Sequence, residues 1–291
     1  MFEEGQDSSE KAFFFSRKMH PSIKSSPDLW DEASREYDSD IGARALKGAH
    51  ELVAAALSQR PLSQDSKVLD VGTGAGNIPL AIRELHPSVS IVAIDSSPGM
   101  VDILAQRNIA NIVTGVSDAR SLDRILVPED TFTHAFCALV LQFVGDRQAE
   151  VLSEIFRSLQ PGGVVAISVS DYLGIVEPMH NARKLVDPNY SRVEPFDHTW
   201  HTSKQLDEGL KKAGFTNVDA YEVVTENRAP SPESIINFWV NMRNPGLRPV
   251  VDAFPGNETT LRDALERVLR GYEEGFRLEN RYAIANARKP S

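Results

Sequence analysis

Asp70-Val71-Gly72-Thr73-Gly74-Ala75-Gly76 limits what this chain can fold into more than any other stretch. It follows the apolar run Lys67-Val68-Leu69 and leads into Asn77-Ile78-Pro79-Leu80-Ala81-Ile82-Arg83, whose spacing predicts a helix. A glycine-rich turn therefore joins a buried strand to a helix. Glycines in such a turn take positive φ and let another group lie against bare backbone. In a doubly wound α/β sheet, the carboxyl end of the first strand is where a nucleotide-like ligand sits.

The spacing carries more information than the glycines. The dinucleotide fingerprint G-x-G-x-x-G accommodates a pyrophosphate. Here the pattern is D-x-G-x-G-x-G, and its leading acid repels phosphate and attracts a cationic amine. A second apolar run, Val89 to Ile94, ends at Asp95. An acid about 20 residues past a glycine turn is placed to accept hydrogen bonds from ribose hydroxyls. Ser96-Ser97-Pro98-Gly99-Met100 opens another helix, with Ser and Pro as start signals. A third run, Asn111 to Val116, precedes Ser117-Asp118-Ala119. His134 to Leu141 reads as a fourth strand. Gln148 to Leu159 has helical spacing and is stopped by Gln160-Pro161-Gly162-Gly163, before the fifth strand Val164 to Val169.

This series, from about Leu62 to Ser170, resembles the class I S-adenosylmethionine-dependent methyltransferases. The resemblance implies a Rossmann-like, doubly wound α/β sheet of seven strands. That sheet is mostly parallel with an antiparallel end strand, and a helical cap adds to it. It implies S-adenosyl-L-methionine as cofactor, with the glycine loop at its amino-acid end and an acid after the third strand at the adenine amino group. Carried onto this chain, the cofactor residues are Asp70, Gly72, Thr73, Gly74, Gly76, Asp95, Ser96, Met100, Asp118, Ala119 and Ala138. Asp95 and Asp118 have a second reading as helix caps, and Asp70 as a structural brace of the loop. Trp30 and Tyr37-Asp38 resemble the family's amino-terminal W…YD element, whose Tyr lies near the methionine end of the cofactor. Trp30 and Tyr37 also read as one apolar helix stripe.

The net charge of −10 argues against a nucleic-acid partner, which needs a basic footprint. The single cysteine excludes an internal disulfide and fits a reducing compartment. No apolar run spans a membrane, and the acidic start Met1-Phe2-Glu3-Glu4-Gly5-Gln6-Asp7 is unlike a secretory signal. The expectation is a cytoplasmic enzyme, monomer or homodimer, whose partner is a small-molecule acceptor.

Three parts are expected along the chain. Residues 1–60 form an amino-terminal arm and cap helices, helical from Leu29 to Leu57 with a break near Asp38-Ser39-Asp40. Residues 61–229 and 278–291 form the cofactor-binding core, with 171–202 as a lid segment of poor periodicity. Within the core, Ser203 to Ala213 reads as a Ser-capped helix, Thr216 to Val224 as a sixth strand and Arg281 to Ala287 as the last. Residues 230–277 are a helical insertion with two helical patterns, Pro232 to Met242 and Thr259 to Glu273. Long excursions in a compact domain tend to be binding elements, so this one is expected to roof the pocket.

Methyl transfer needs alignment and exclusion of water, and a general base only where the acceptor must lose a proton. His198 and His201 are the candidate bases, with helix capping or solvent exposure as the alternative, and Tyr37 is the third catalytic candidate. Their spacing lacks a third ligand, so no metal is expected. Phe13, Phe14 and Phe15 wall the acceptor pocket or anchor the amino-terminal arm. Gln142 and Phe143 are placed to touch the acceptor, while Cys137 and His134 read as structural. The function expected is transfer of a methyl group to an O, N or S atom of a small organic metabolite. The rival readings keep the cofactor pocket for a cyclisation or for a binding subunit. A nicotinamide-dependent oxidoreductase fails on glycine spacing and on the missing Tyr-x-x-x-Lys pair.

Overall fold

A computed structural model describes residues 27–40, 42–195 and 200–291. Phe13, Phe14, Phe15 and His198 lie outside the described residues, as does the side chain of Tyr37. The core is a seven-stranded sheet made of β1 (Lys67–Val71), β2 (Ser90–Asp95), β3 (Ile112–Val116), β4 (Phe132–Ala138), β5 (Leu159–Leu173), β6 (Thr216–Arg228) and β7 (Arg277–Arg288). Its strand order is β3-β2-β1-β4-β5-β7-β6. Strands β1 to β5 run parallel, and β7 runs antiparallel between β5 and β6.

The central strands are apolar runs because both faces of the sheet are covered. Their side chains divide with the two-residue period of a strand. Leu69, Val71, Ala135, Cys137, Val165 and Ile167 belong to one core, completed by Leu152 and Ile155 and by Leu206 and Leu210. Val68, Phe136, Val164 and Ala166 belong to the opposite core, completed by Leu52, Val53, Ile78 and Ile82.

The first core is closed by helices α5 (Gln148–Ser158) and α7 (Ser203–Lys212), the second by α2 (Gly42–Gln59) and α3 (Asn77–Leu85). Thr202, not Ser203, caps α7: its hydroxyl accepts the Gln205 N–H, and the Gln205 side chain returns the contact. Helix α1 (Pro27–Asp40) meets α4 (Pro98–Gln106), where Asp31 accepts the Gly99 N–H and the Ser97 hydroxyl. A carboxylate there satisfies amides that an α-helix leaves open at its start.

A third core lies outside the sheet. Helices α6 (Val176–Val186), α8 (Pro232–Val240), α9 (Arg248–Asp252) and α10 (Glu258–Leu269) bury Met179, Trp239, Val250 and Leu265 together. The fully buried Trp239 donates its indole N–H to the Ile175 carbonyl at 2.9 Å, which ties the insertion to the end of β5. Two of these helices depart from the sequence expectation. Poor periodicity over 171–202 hid α6, whose buried Val176, Met179 and Ala182 form a narrow stripe among polar residues. Its Pro178 falls in the first turn, where no intrahelical hydrogen bond is lost. Helix α9 is a single short turn. No helix among the described residues is long and apolar enough to cross a membrane.

Candidate active site

Strand order reverses between β1 and β4, and a crevice opens at such a switch point. A cavity of about 320 Å³ lies there. Asp70, Gly72, Thr73, Gly74, Asp95, Ser96, Met100, Asp118, Ala119 and Ala138 all line it, although they come from five separate stretches of chain. The sequence reading placed these ten residues together, and the fold does so.

The turn is built by close approach. Gly72 has φ 71°, and a Cβ on it would sit 2.3 Å from Val140 Cγ2. Gly76 has φ 91°, and a Cβ there would sit 2.4 Å from Leu104 Cδ1. Gly76 does not line the cavity; its missing side chain lets α3 start against α4. The space its side chain would need is taken by Leu104.

The brace of the turn is Asp95. Its Oδ2 accepts the Gly74 N–H at 2.9 Å, and its Oδ1 accepts the Ser97 N–H at 3.0 Å. Burial pushes its pKa up, and these backbone donors oppose the rise. Asp70, which had the brace as its alternative role, has neither oxygen hydrogen-bonded and is fully buried. Burial is the main reason its pKa is raised to about 7; the Thr73 side chain pulls it down and the charge of Asp95 pushes it further up. The Thr73 hydroxyl also lacks a partner. A buried carboxyl with no donor beyond the Thr73 hydroxyl, in a residue on the wall of a cavity, fits a cationic or hydrogen-bond-donating ligand.

Asp118 is engaged differently from expectation. Arg120 grips it with Nε at 2.9 Å from Oδ1 and a terminal nitrogen at 2.6 Å from Oδ2. That grip holds the Asp118 carboxyl below its ordinary range. It lines the cavity as half of an ion pair, so its part in any adenine contact is shared with Arg120.

Of the catalytic candidates, only His201 is described, and it does not line the cavity. It precedes the Thr202 cap, its backbone N–H bonds to Gln205 Oε1, and its Nε2 lies 3.9 Å from Asp171 Oδ1. It thus stands one residue before the helix cap and outside the lining of the cavity. No histidine among the described residues lines the cavity. His134 is structural as expected: its ring bonds to the Thr133 hydroxyl at 2.8 Å and the Arg60 carbonyl at 2.9 Å, and burial lowers its pKa to about 4. Cys137 is buried, which pushes its thiol pKa up. No cluster of three metal-binding side chains occurs among the described residues.

Gln142 and Phe143 line the cavity as expected, and Trp30 meets Phe143 edge-on with ring centroids 5.1 Å apart. The sequence reading missed Asn227, Phe238, Asn244, Leu247 and Asn280, which also line it. They sit in β6, the insertion and β7, and no local motif marks them. Leu139 is a further lining residue with φ 58°, a strained value for a leucine, at the bend that ends β4.

Comparison with known proteins agrees with this geometry. Residues 42–220 match the sequence model of a methyltransferase domain family. The trans-aconitate 2-methyltransferase of Methylobacterium nodulans is 30% identical over 226 residues, covering 72% of this chain and 80% of that protein. The crystal structure of the cyclase SpnF superposes with a TM-score of 0.58 at 19% identity, covering 94% of this chain and 97% of that one. A phosphoethanolamine N-methyltransferase of Haemonchus contortus, solved with S-adenosyl-L-methionine, gives a TM-score of 0.54 at 18% identity over 94% of this chain and 61% of that one. The chain belongs to the class I S-adenosylmethionine-dependent methyltransferases.

Proposed function

We propose that the cavity at the switch point binds S-adenosylmethionine and a small organic acceptor side by side. The observation that carries this reading is Asp70: a fully buried carboxyl with only the Thr73 hydroxyl beside it, in a residue that lines the same cavity as the braced turn. That carboxylate fits the cationic amino-acid end of the cofactor. Bound there, S-adenosylmethionine supplies a methyl group already activated on a sulfonium. Asp95 keeps Gly74 and Ser97 in place, and its remaining lone pairs are assigned to the ribose hydroxyls. Met100 and Ala119 are assigned to the adenine faces, and the Asp118–Arg120 pair to the adenine edge. Thr73, Ser96 and Ala138 complete the cofactor wall.

The remaining lining residues form the acceptor side. Trp30 and Phe143 close one flank, and the insertion closes the other with Phe238 and Leu247. We assign 61–229 and 278–291 as the core, and 1–60 with 230–277 as the parts that enclose the acceptor. Enclosure removes water from the reacting atoms. Tyr37 and His198 keep their proposed places near the methionine end and the lid. A cytoplasmic setting suits the single cysteine.

Calorimetry with S-adenosylhomocysteine tests the cofactor half, and absence of binding by the full chain would refute it. The mass of the converted acceptor tests the transfer. A gain of one methylene unit supports methylation, and an unchanged formula points instead to cyclisation.

A further inference from the structure

Of the five carboxamides that line the cavity among the described residues, three have the oxygen taken by a backbone N–H. Gln142 lies in the turn after β4, Asn244 in the connection from α8 to α9, and Asn280 on β7; all three line the cavity. Gln142 Oε1 accepts the Ser170 N–H at 2.8 Å. Asn244 Oδ1 accepts the Gly246 N–H at 2.8 Å. Asn280 Oδ1 accepts the Gly174 N–H at 3.2 Å. Each oxygen is thus held by backbone, which fixes the amide and leaves its NH2 group as the part available to a ligand. Three elements distant in sequence converge on the same outcome, an amide whose oxygen is already taken and whose NH2 group remains.

The surroundings of these donors are apolar, with Phe238, Leu247 and Leu278 on the same cavity. The charged lining residues among those described are the acids Glu51, Asp70, Asp95 and Asp118 and the bases Lys47 and Arg120. Arg120 is already committed to Asp118. A polyanionic acceptor would lose its hydration against apolar walls and find no guanidinium free of a carboxylate among the described lining residues. Carboxylates are ordinarily met by guanidinium forks, and amide NH2 groups suit neutral carbonyl oxygens.

We propose that the methyl acceptor is an uncharged, largely apolar molecule carrying carbonyl oxygens. Gln142, Asn244 and Asn280 orient it by donating to those oxygens. This proposal rests on the reading of the cavity as a methyl-transfer site, and it separates the acceptor from the tricarboxylate class.

The test is calorimetry on the full chain saturated with S-adenosylhomocysteine, using resacetophenone, emodin and trans-aconitate as probes. At least one of the two hydroxyketones is expected to bind at least tenfold more tightly than trans-aconitate. Asn244→Asp, Asn280→Asp and Gln142→Glu each keep the oxygen that accepts the backbone N–H and replace the donor with a second oxygen. Each is expected to weaken hydroxyketone binding at least tenfold while S-adenosylhomocysteine affinity stays unchanged. Because the three changes lie on separate elements, the test survives one variant failing to fold. Preference for trans-aconitate, no binding by either hydroxyketone, or hydroxyketone binding unmoved in the folded variants would each overturn the proposal. Failure of S-adenosylhomocysteine itself to bind would instead overturn the cofactor site.

Discussion

Asp95 holds Gly74 from the neighbouring strand: a carboxylate at the end of β2 accepts the backbone N–H of the turn that follows β1, at 2.9 Å. The same carboxylate takes the Ser97 N–H at 3.0 Å at the start of α4. One side chain therefore fixes the two loops that face the cavity from neighbouring strands, and the shape of the cofactor wall depends on it.

Asp95→Ala removes two hydrogen bonds to a charged acceptor, each of the kind that contributes about 1.5–3 kcal/mol. The expected result is a lower melting temperature together with at least a tenfold loss of S-adenosylhomocysteine affinity. Melting by circular dichroism and titration calorimetry read the two effects separately. An unchanged affinity would remove the brace from the binding mechanism.

Asp70 should make stability depend on pH. Its carboxyl rises from 3.8 to about 7 in the fold, chiefly through burial. The folded state then holds a proton that the unfolded chain releases, so stability is full below pH 3.8, falls as pH rises towards 7, and levels off above that. Asp70→Asn is neutral at every pH and escapes this loss. Its stability advantage over wild type should open between acid and neutral pH, to at most about 4 kcal/mol. Wild-type affinity for S-adenosylmethionine should rise with pH up to about 7, as the ionised carboxylate becomes available, and the variant should show no such rise. Denaturant unfolding and calorimetry at acid and alkaline pH decide it; parallel pH curves for the two proteins would exclude Asp70 as the titrating group.

Gly72→Ala places a methyl group 2.3 Å from Val140 Cγ2 at a residue with φ 71°. The left-handed backbone alone costs roughly 1–2 kcal/mol for a residue with a Cβ, and the clash adds to it. Val140→Ala in the same chain should recover the clash and leave the backbone strain. A double-mutant cycle by urea unfolding measures this, with a coupling of about 0.5–3 kcal/mol expected. Strict additivity would show that the contact is relieved elsewhere.

The half of the cavity proposed for the cofactor was legible in the sequence because it is local. Parallel strands covered on both faces read as unbroken apolar runs, and the acids at 70, 95 and 118 follow them directly. The half proposed for the acceptor was not legible because its contacts are long-range. Asn280 earns its orientation from Gly174, 106 residues earlier, and nothing near either residue announces the pair. Strand β6 runs four residues past its expected end at Val224 because it pairs with β7 as far as Arg228↔Arg277. That stretch reads Thr225-Glu226-Asn227-Arg228, polar and edge-like, so only the partner strand reveals it. Gly76 belongs to the motif, and the space at its Cα is claimed by Leu104 from far along the chain.

Trp239 is where the insertion and the core can be separated experimentally. Its indole N–H satisfies the Ile175 carbonyl at 2.9 Å, and its neighbour Phe238 lines the cavity with a ring centroid 5.4 Å from that of Trp239. Trp239→Phe keeps an aromatic ring in the third core but strands the carbonyl, at a cost of about 1–3 kcal/mol. The glycine turn lies in other cores, so cofactor affinity should hold. Hydrogen exchange should quicken in α8 and α10, and binding of resacetophenone or emodin should weaken, while S-adenosylhomocysteine binds as before. Equal loss of both ligands would mean that the insertion and the cofactor wall unfold as one unit. Unchanged exchange in α8 would mean that the indole hydrogen bond does not hold the insertion against the end of β5.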